Sequence, residues 1–142
     1  MRIKGSCFCD QIKFEITGEL PDLYQCHCSE CRKTTGSSAN AGLLLSENQF
    51  SWITGEENIK AFTKASGYRV NFCKTCGSPV PNPTSLQAGL MWIPAGLLDN
   101  PPSSIKVSNH IYVDFKASWD EISGSAKQHA DLPSDINKTL FR

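Results

Sequence analysis

The chain has 142 residues, enough for one domain, and 39% of them are apolar, with seven Phe and three Trp available to fill a core. Fourteen basic side chains balance fourteen acidic ones and neither sign runs together, so the basic surplus or stripe expected of a nucleic-acid-binding or membrane-surface protein is missing. No apolar run approaches the length of a membrane-spanning helix, and the opening MRIKGSCFCD lacks the apolar stretch of a secretory signal, so the expectation is a cytoplasmic protein with neither nucleic-acid nor membrane partners.

Short β-like runs follow one another along the chain: Gln11 to Ile16, Leu23 to Cys26, Ala41 to Leu45, Phe50 to Ile53, Ile59 to Thr63, Tyr68 to Phe72, Leu90 to Ile93 and His110 to Val113. Gly, Pro, Asn and Ser punctuate them, which predicts a mainly β fold of short antiparallel strands. Lys13-Phe14-Glu15-Ile16 and Ile59-Lys60-Ala61-Phe62 alternate polar with apolar, the pattern of a sheet with one buried face. One helix of a turn or two is predicted over Ser29 to Thr35, ending at Gly36. Cys28 and Ser29 then fall near its N-terminus, where backbone N–H groups and the helix dipole favour a thiolate. Asn100-Pro101-Pro102-Ser103-Ser104 reads as a surface loop within a single domain, since the strand-like His110 to Val113 and Trp119 beyond it need a core to join. The domain is expected to span residues 1–125, with Trp119 as a packing anchor and residues 126–142 as a polar C-terminal tail.

Seven cysteines fall in three clusters: Cys7 and Cys9 as C-x-C, Cys26, Cys28 and Cys31 as C-x-C-x-x-C, and Cys73 and Cys76 as C-x-x-C. Disulfides are a poor account of them, because pairs this close shut loops that constrain little of the unfolded chain, and seven is odd. A thioredoxin-like redox pair at Cys73 and Cys76 would expect a following helix, whereas Gly77, Ser78, Pro79 and Pro81 follow. The spacing instead predicts two Zn2+ sites. Cys26, Cys28 and Cys31 supply three ligands by themselves. Cys7, Cys9, Cys73 and Cys76 then form a closed tetrahedral site that joins distant segments and contributes to folding. The three-cysteine site is expected to stay open, although spacing alone leaves His110 and His129 as conceivable fourth ligands; His27, between two ligands, should point away.

Three thiolates leave a zinc that is a poor activator of water and well suited to capture of another thiol. Arg32 and Lys33, directly after the triple cluster, are candidates to hold a substrate carboxylate, beside the plainer reading of solvated helix-surface charges. Trp52, Trp92 and Phe50 are candidates either to line a pocket or to join the core.

The strings Gly5-Ser6-Cys7-Phe8-Cys9, Cys26-His27-Cys28-Ser29-Glu30-Cys31-Arg32-Lys33 with Thr35-Gly36-Ser37, and Phe72-Cys73-Lys74-Thr75-Cys76-Gly77-Ser78-Pro79 resemble the glutathione-dependent formaldehyde-activating (GFA) family, which includes centromere protein V. The resemblance runs over roughly residues 3 to 122, with Ala95 to Asp99, His110-Ile111 and Lys116 to Trp119 also similar. It implies a β-tent fold, a structural zinc on Cys7, Cys9, Cys73 and Cys76, and a catalytic or glutathione-exchangeable zinc on Cys26, Cys28 and Cys31. It further implies a carbon–sulfur lyase that joins glutathione to formaldehyde as S-hydroxymethylglutathione, or splits that adduct. Asp10 departs from the family, which often has Gly there, and Pro81-Asn82-Pro83-Thr84 falls in a loop that varies among members. A non-catalytic carrier of glutathione or another small thiol needs the same open site, and sequence does not separate it from an enzyme.

Overall fold

The computed structural model describes residues 1–141. Its elements are β1 (Arg2–Ser6), β2 (Lys13–Thr17), β3 (Leu23–Cys26), α1 (Ser29–Thr35), β4 (Asn40–Ser46), β5 (Phe50–Thr54), β6 (Ile59–Thr63), β7 (Arg69–Cys73), β8 (Asn82–Pro83), β9 (Leu90–Pro94), β10 (Val107–Ile111), β11 (Lys127–Gln128) and α2 (Ile136–Thr139). They form three sheets, in the orders β1-β2-β5, β11-β10-β3-β4-β9-β8 and β6-β7. The fold is mainly β, as expected, with two short α-helices and a few single 3-10 turns. Pairing is not wholly antiparallel, because β10 runs parallel to both β3 and β11.

The two larger sheets face each other across one core. Ile3, Phe14 and Ile16 from the three-stranded sheet pack on Leu43, Leu45, Met91 and Ile93 from β4 and β9. Alternation dictates which face each side chain takes, and β2 shows it plainly: Phe14 and Ile16 are fully buried while Lys13 and Thr17 are exposed. β4 sits in the middle of the six-stranded sheet and is buried on both sides, so Leu43-Leu44-Leu45 is a continuous apolar run. Leu44 faces a second core with Tyr24, Leu90, Ile111 and Leu140. Each fully buried leucine contributes on the order of 1.5–3 kcal/mol relative to exposure.

Three expectations are corrected here. The pattern in Ile59 to Phe62 suggested a buried face, yet β6 pairs only with β7 and Phe62 is 60% exposed. That two-stranded hairpin has no sheet stacked over Phe62, so alternation has nothing to bury against. Trp119 is not a packing anchor but 70% exposed. The turn in which the Asp120 N–H bonds the Ala117 carbonyl aims Asp120 inward at His27, and its neighbour Trp119 faces out. Residues after 125 do not hang loose either. β11 adds a parallel strand to β10, and Leu132, Ile136, Leu140 and Phe141 fold back over the second core, with Leu140 only 3% exposed. The segment is polar by composition, but these few apolar side chains are spaced to cover the sheet. Arg142, the last residue of the expected tail, lies outside the described residues.

Candidate metal centres and cavity

Cys7, Cys9, Cys73 and Cys76 come together with all four Sγ atoms within 4.8 Å of one another. Sγ of Cys9 lies 3.7 Å from that of Cys7 and 3.8 Å from that of Cys73. A disulfide would bring two sulfurs to about 2.05 Å, and all seven cysteines are free. By contrast, tetrahedral ligation with metal–sulfur bonds of about 2.3 Å separates the sulfurs by about 3.8 Å, so the four thiols fit such an ion.

Local backbone chemistry builds this cluster. The Asp10 N–H turns back to the Cys7 carbonyl at 3.0 Å, and the Gly77 N–H to the Cys73 carbonyl at 2.8 Å. Asp10 at φ 68 and Gly77 at φ 80 lie in the left-handed region that closes each knuckle. Asp10 thus occupies a glycine-like conformation, and Asp is among the side chains that tolerate it best. Burial pushes the Cys73 thiol up, but the N–H groups of Cys76 and Thr75 pull it down further. Burial likewise opposes ionisation of Cys76, yet the Ser78 hydroxyl and N–H bring it down to about 6. Asn58 is buried and donates to Cys73 Sγ at 3.3 Å and to Thr75 at 3.0 Å.

Cys26, Cys28 and Cys31 form the second group, again with sulfurs within 4.8 Å. No further Cys, His or carboxylate joins them among the described residues. Cys26 ends β3 and Cys28 caps α1. The cap has extended backbone, φ −66 and ψ 160, and its Sγ accepts the Cys31 N–H at 3.3 Å. Gly36 closes the helix at φ 63, its N–H bonding the Arg32 carbonyl. Contact with the Cys26 sulfur first, then Cys31, then the N–H groups of Cys31 and Glu30 hold Cys28 well below the ordinary thiol range. Cys26 is driven far up by Cys28, then by Cys31 and by burial. The Cys26 contact eases ionisation of Cys31, but Cys28 and burial outweigh it and leave Cys31 raised. The N–H groups at the start of α1 favour the thiolate form of Cys28, and a dication held by the trio would draw the remaining protons off.

The trio opens on a cavity of about 620 Å³. All three tyrosines of the chain, Tyr24, Tyr68 and Tyr112, line it together with Trp92, Asn40 and Arg69. The Tyr68 hydroxyl lies 3.4 Å from Cys31 Sγ and 3.2 Å from the Thr34 hydroxyl. Burial raises the pKa of Tyr24, Tyr68 and Tyr112, so all three stay protonated. Tyr112 is held at φ 57, a conformation that a bulky side chain keeps only where its surroundings over-determine it. The loop with Pro83, Thr84 and Leu86 forms the opposite rim.

Arg32 and Lys33 do not line this cavity. Lys33 is exposed, and Arg32 is half-buried with its Nε unpaired among the described residues. Trp52 and Phe50 pack against the first core, leaving Trp92 as the cavity aromatic among those three. His27 points away from the sulfurs. Its Nε2 lies 2.9 Å from His110 Nδ1 and its Nδ1 3.4 Å from Asp120. His129 bonds Asn109 at 2.9 Å, so neither remaining histidine reaches the three sulfurs. Tyr68, Tyr112 and Arg69 escape a reading of the sequence, since nothing local distinguishes them from ordinary strand and turn residues.

Two cysteine clusters that could hold metal ions, mounted on small mixed sheets that do not close into a barrel, define a mainly β protein of β-tent architecture. Residues 2–115 match the family model described as glutathione-dependent formaldehyde-activating enzyme, and the chain belongs to that GFA family. It is 26% identical over 133 residues to a Halomonas elongata protein whose name provisionally assigns it glutathione-dependent formaldehyde activation; the match spans 86% of this chain and 82% of the relative. A crystal structure of a Rhodobacter sphaeroides protein shares the fold with a TM-score of 0.58 at 21% identity, over 70% of this chain and 91% of that one. No helix among the described residues is long and apolar enough to cross a membrane.

Proposed function

We propose that the protein is a zinc-dependent carbon–sulfur lyase that holds glutathione or a related small thiol at Cys26, Cys28 and Cys31 and forms or splits its aldehyde adduct. The observation that carries this reading is the contrast between the clusters: four sulfurs pack into a closed group, while three sulfurs with no fourth protein ligand among the described residues open on a cavity. Structural zinc sites are closed, and sites that bind exogenous groups keep a position free. Zinc in the open site supplies a soft ion suited to taking up a fourth sulfur as thiolate. A reducing compartment, the cytoplasm, suits seven free thiols.

In the synthetic direction the thiol S–H loses its proton, the sulfur bonds to the carbonyl carbon, the C=O π pair moves to oxygen, and one proton returns to that oxygen to complete the hydroxyl. The lyase direction reverses each change. The chain contributes orientation, because helix α1 fixes Cys28 and Cys31 and strand β3 fixes Cys26. Tyr68, protonated and beside Cys31, offers a hydroxyl able to donate to a carbonyl oxygen.

A carrier without catalysis is favoured by one observation. Apart from the thiols, the cavity's ionisable groups are protonated tyrosines, Arg69, and Glu30, which is engaged by Lys64 and Ser66. The described lining residues include no histidine or lysine to take up a proton. The two readings part when adduct formation from glutathione and formaldehyde is timed with and without protein at equal free glutathione. A rate above the uncatalysed one supports the lyase; an unchanged or slowed rate leaves the carrier. Calorimetry with glutathione and with S-methylglutathione, which has no thiol to ionise, tests the thiol site itself.

A further inference from the structure

The electrostatics of the cavity are lopsided. With zinc bound, three thiolates leave the cluster at about minus one, and a captured thiolate takes it to about minus two. Any further negative charge on the ligand must be met by the protein. Among the described residues lining the cavity, the charged side chains other than the sulfurs are Glu30 and Arg69. Glu30 is already matched: its Oε2 accepts the Ser66 hydroxyl at 2.7 Å and lies 3.6 Å from Lys64 Nζ. Arg69 has no acidic partner among the described residues. Its Nε donates to Asn71 Oδ1 at 2.8 Å, and Asn71 is only 9% exposed, so the base of the guanidinium is tied down while its terminal NH2 groups remain for a ligand.

The position of Arg69 is also fixed from the helix side. It begins β7, directly after Tyr68, which touches both Cys31 and Thr34, and the turn before it is fastened to α1 through Glu30, Ser66 and Lys64. The hairpin therefore holds the cation at a set place relative to the sulfurs. This is the arrangement of a fork for an anionic group at the far end of a ligand whose sulfur sits at Cys26, Cys28 and Cys31.

We infer that Arg69 is the specificity residue of the open site and selects thiols that carry a carboxylate over neutral thiols. The inference rests on the proposed thiol site and replaces Arg32 and Lys33 as the carboxylate partner. A rival role for Arg69, general relief of thiolate charge, predicts a different outcome, because that relief would help every thiol equally.

The test is calorimetric titration of the zinc-loaded protein with 3-mercaptopropionate, 2-mercaptoethanol and glutathione, repeated for Arg69→Gln and Arg69→Lys. Arg69 is exposed and its side chain leaves the cores intact, and the melting curve of each variant checks that they fold. The expected result is tighter binding of 3-mercaptopropionate than of 2-mercaptoethanol. Arg69→Gln should weaken 3-mercaptopropionate and glutathione by about 10- to 100-fold, the scale of a charged hydrogen-bonded pair, and leave 2-mercaptoethanol within about twofold. Arg69→Lys should restore part of the preference, since the charge returns without the fork. Equal weakening of all three thiols, or no preference in the parent protein, would overturn the role of Arg69 while leaving the thiol site standing. Failure of every thiol to bind would overturn the thiol site and this inference with it.

Discussion

Single residues already separate what was local in the chemistry from what was not. All seven cysteines could be divided from their spacing, because C-x-C and C-x-x-C place two sulfurs around one ion whatever the rest of the chain does. Arg69 and Tyr68 could not, since their meaning depends on a hairpin folding against a helix 37 residues earlier in the chain. His27 shows a third case: spacing indicated that it should point away, but not what it meets. It is 1% exposed, and it shares a buried polar cluster with His110, Asp120 and the nearby charge of Lys116. Burial lowers the pKa of both His27 and His110, with Asp120 only partly opposing it, so both rings are favoured neutral in the fold. A base whose folded pKa lies below its ordinary 6.5 stabilises the protein above that value. That contribution is lost as pH falls from about 6.5 through the lower folded value. His110→Gln removes one of the two titrations. Melting temperatures between pH 8 and pH 5 should therefore drop less steeply for the variant, and comparison with the parent cancels the acid sensitivity of the thiols. Parallel curves would assign the pH response to other groups.

At the scale of elements, most strands were legible, β6 among them although its alternation meets no packed face, whereas β1, with Ile3 and Gly5 buried, was missed. β3, β6 and α1 coincide with the ranges expected from sequence, and β2, β4, β5, β7 and β9 differ by a residue or two at their ends. β10 starts three residues earlier than expected, at Val107, where a bulge interrupts its pairing with β3. β8, β11 and α2 are two to four residues long, too short for any period to register. One element-scale contact bears directly on the site. Gly42, in the centre of β4, lies across from Tyr24 on β3 and Pro94 on β9. A Cβ there would fall on the Trp92 indole nitrogen and come within 3.1 Å of the Ile93 carbonyl oxygen. The glycine thus leaves room for the indole that lines the cavity. Gly42→Ala should cost about 1–3 kcal/mol through overpacking. It should also displace Trp92, read as a change in tryptophan emission together with weaker thiol binding. An alanine variant with unchanged stability and emission would show that the indole moves freely at this place.

Across the whole molecule, the two cysteine clusters join segments at very different separations along the chain, and the proposed function assigns them different work. The four-sulfur group joins the turn after β1 to the end of β7, and Cys7, Ile12, Cys73 and Val80 make a small core around it. Those segments are 64 residues apart, so no local preference would bring them together. The apparent binding energy of a structural zinc in small domains, about 10–16 kcal/mol, matches or exceeds the net stability of a typical domain, about 5–15 kcal/mol. Cys73→Ser removes a fully buried ligand from that group and should leave a chain that melts without a cooperative transition or does not fold. Cys28→Ser touches a group whose three members lie within six residues and which closes no long loop. Serine is itself a preferred N-cap, so α1 keeps its capping bond and stability should change by no more than about 1 kcal/mol. Metal analysis should then show one zinc fewer per chain, and glutathione binding should disappear from an otherwise native spectrum. The pairing of β3 with β10 also argues for this asymmetry, since it anchors Cys26 opposite Ile111 with no help from the open cluster. If Cys28→Ser unfolds the protein as thoroughly as Cys73→Ser, the three-sulfur group is a structural clamp, and the cavity beside it has to be explained without a captured thiol.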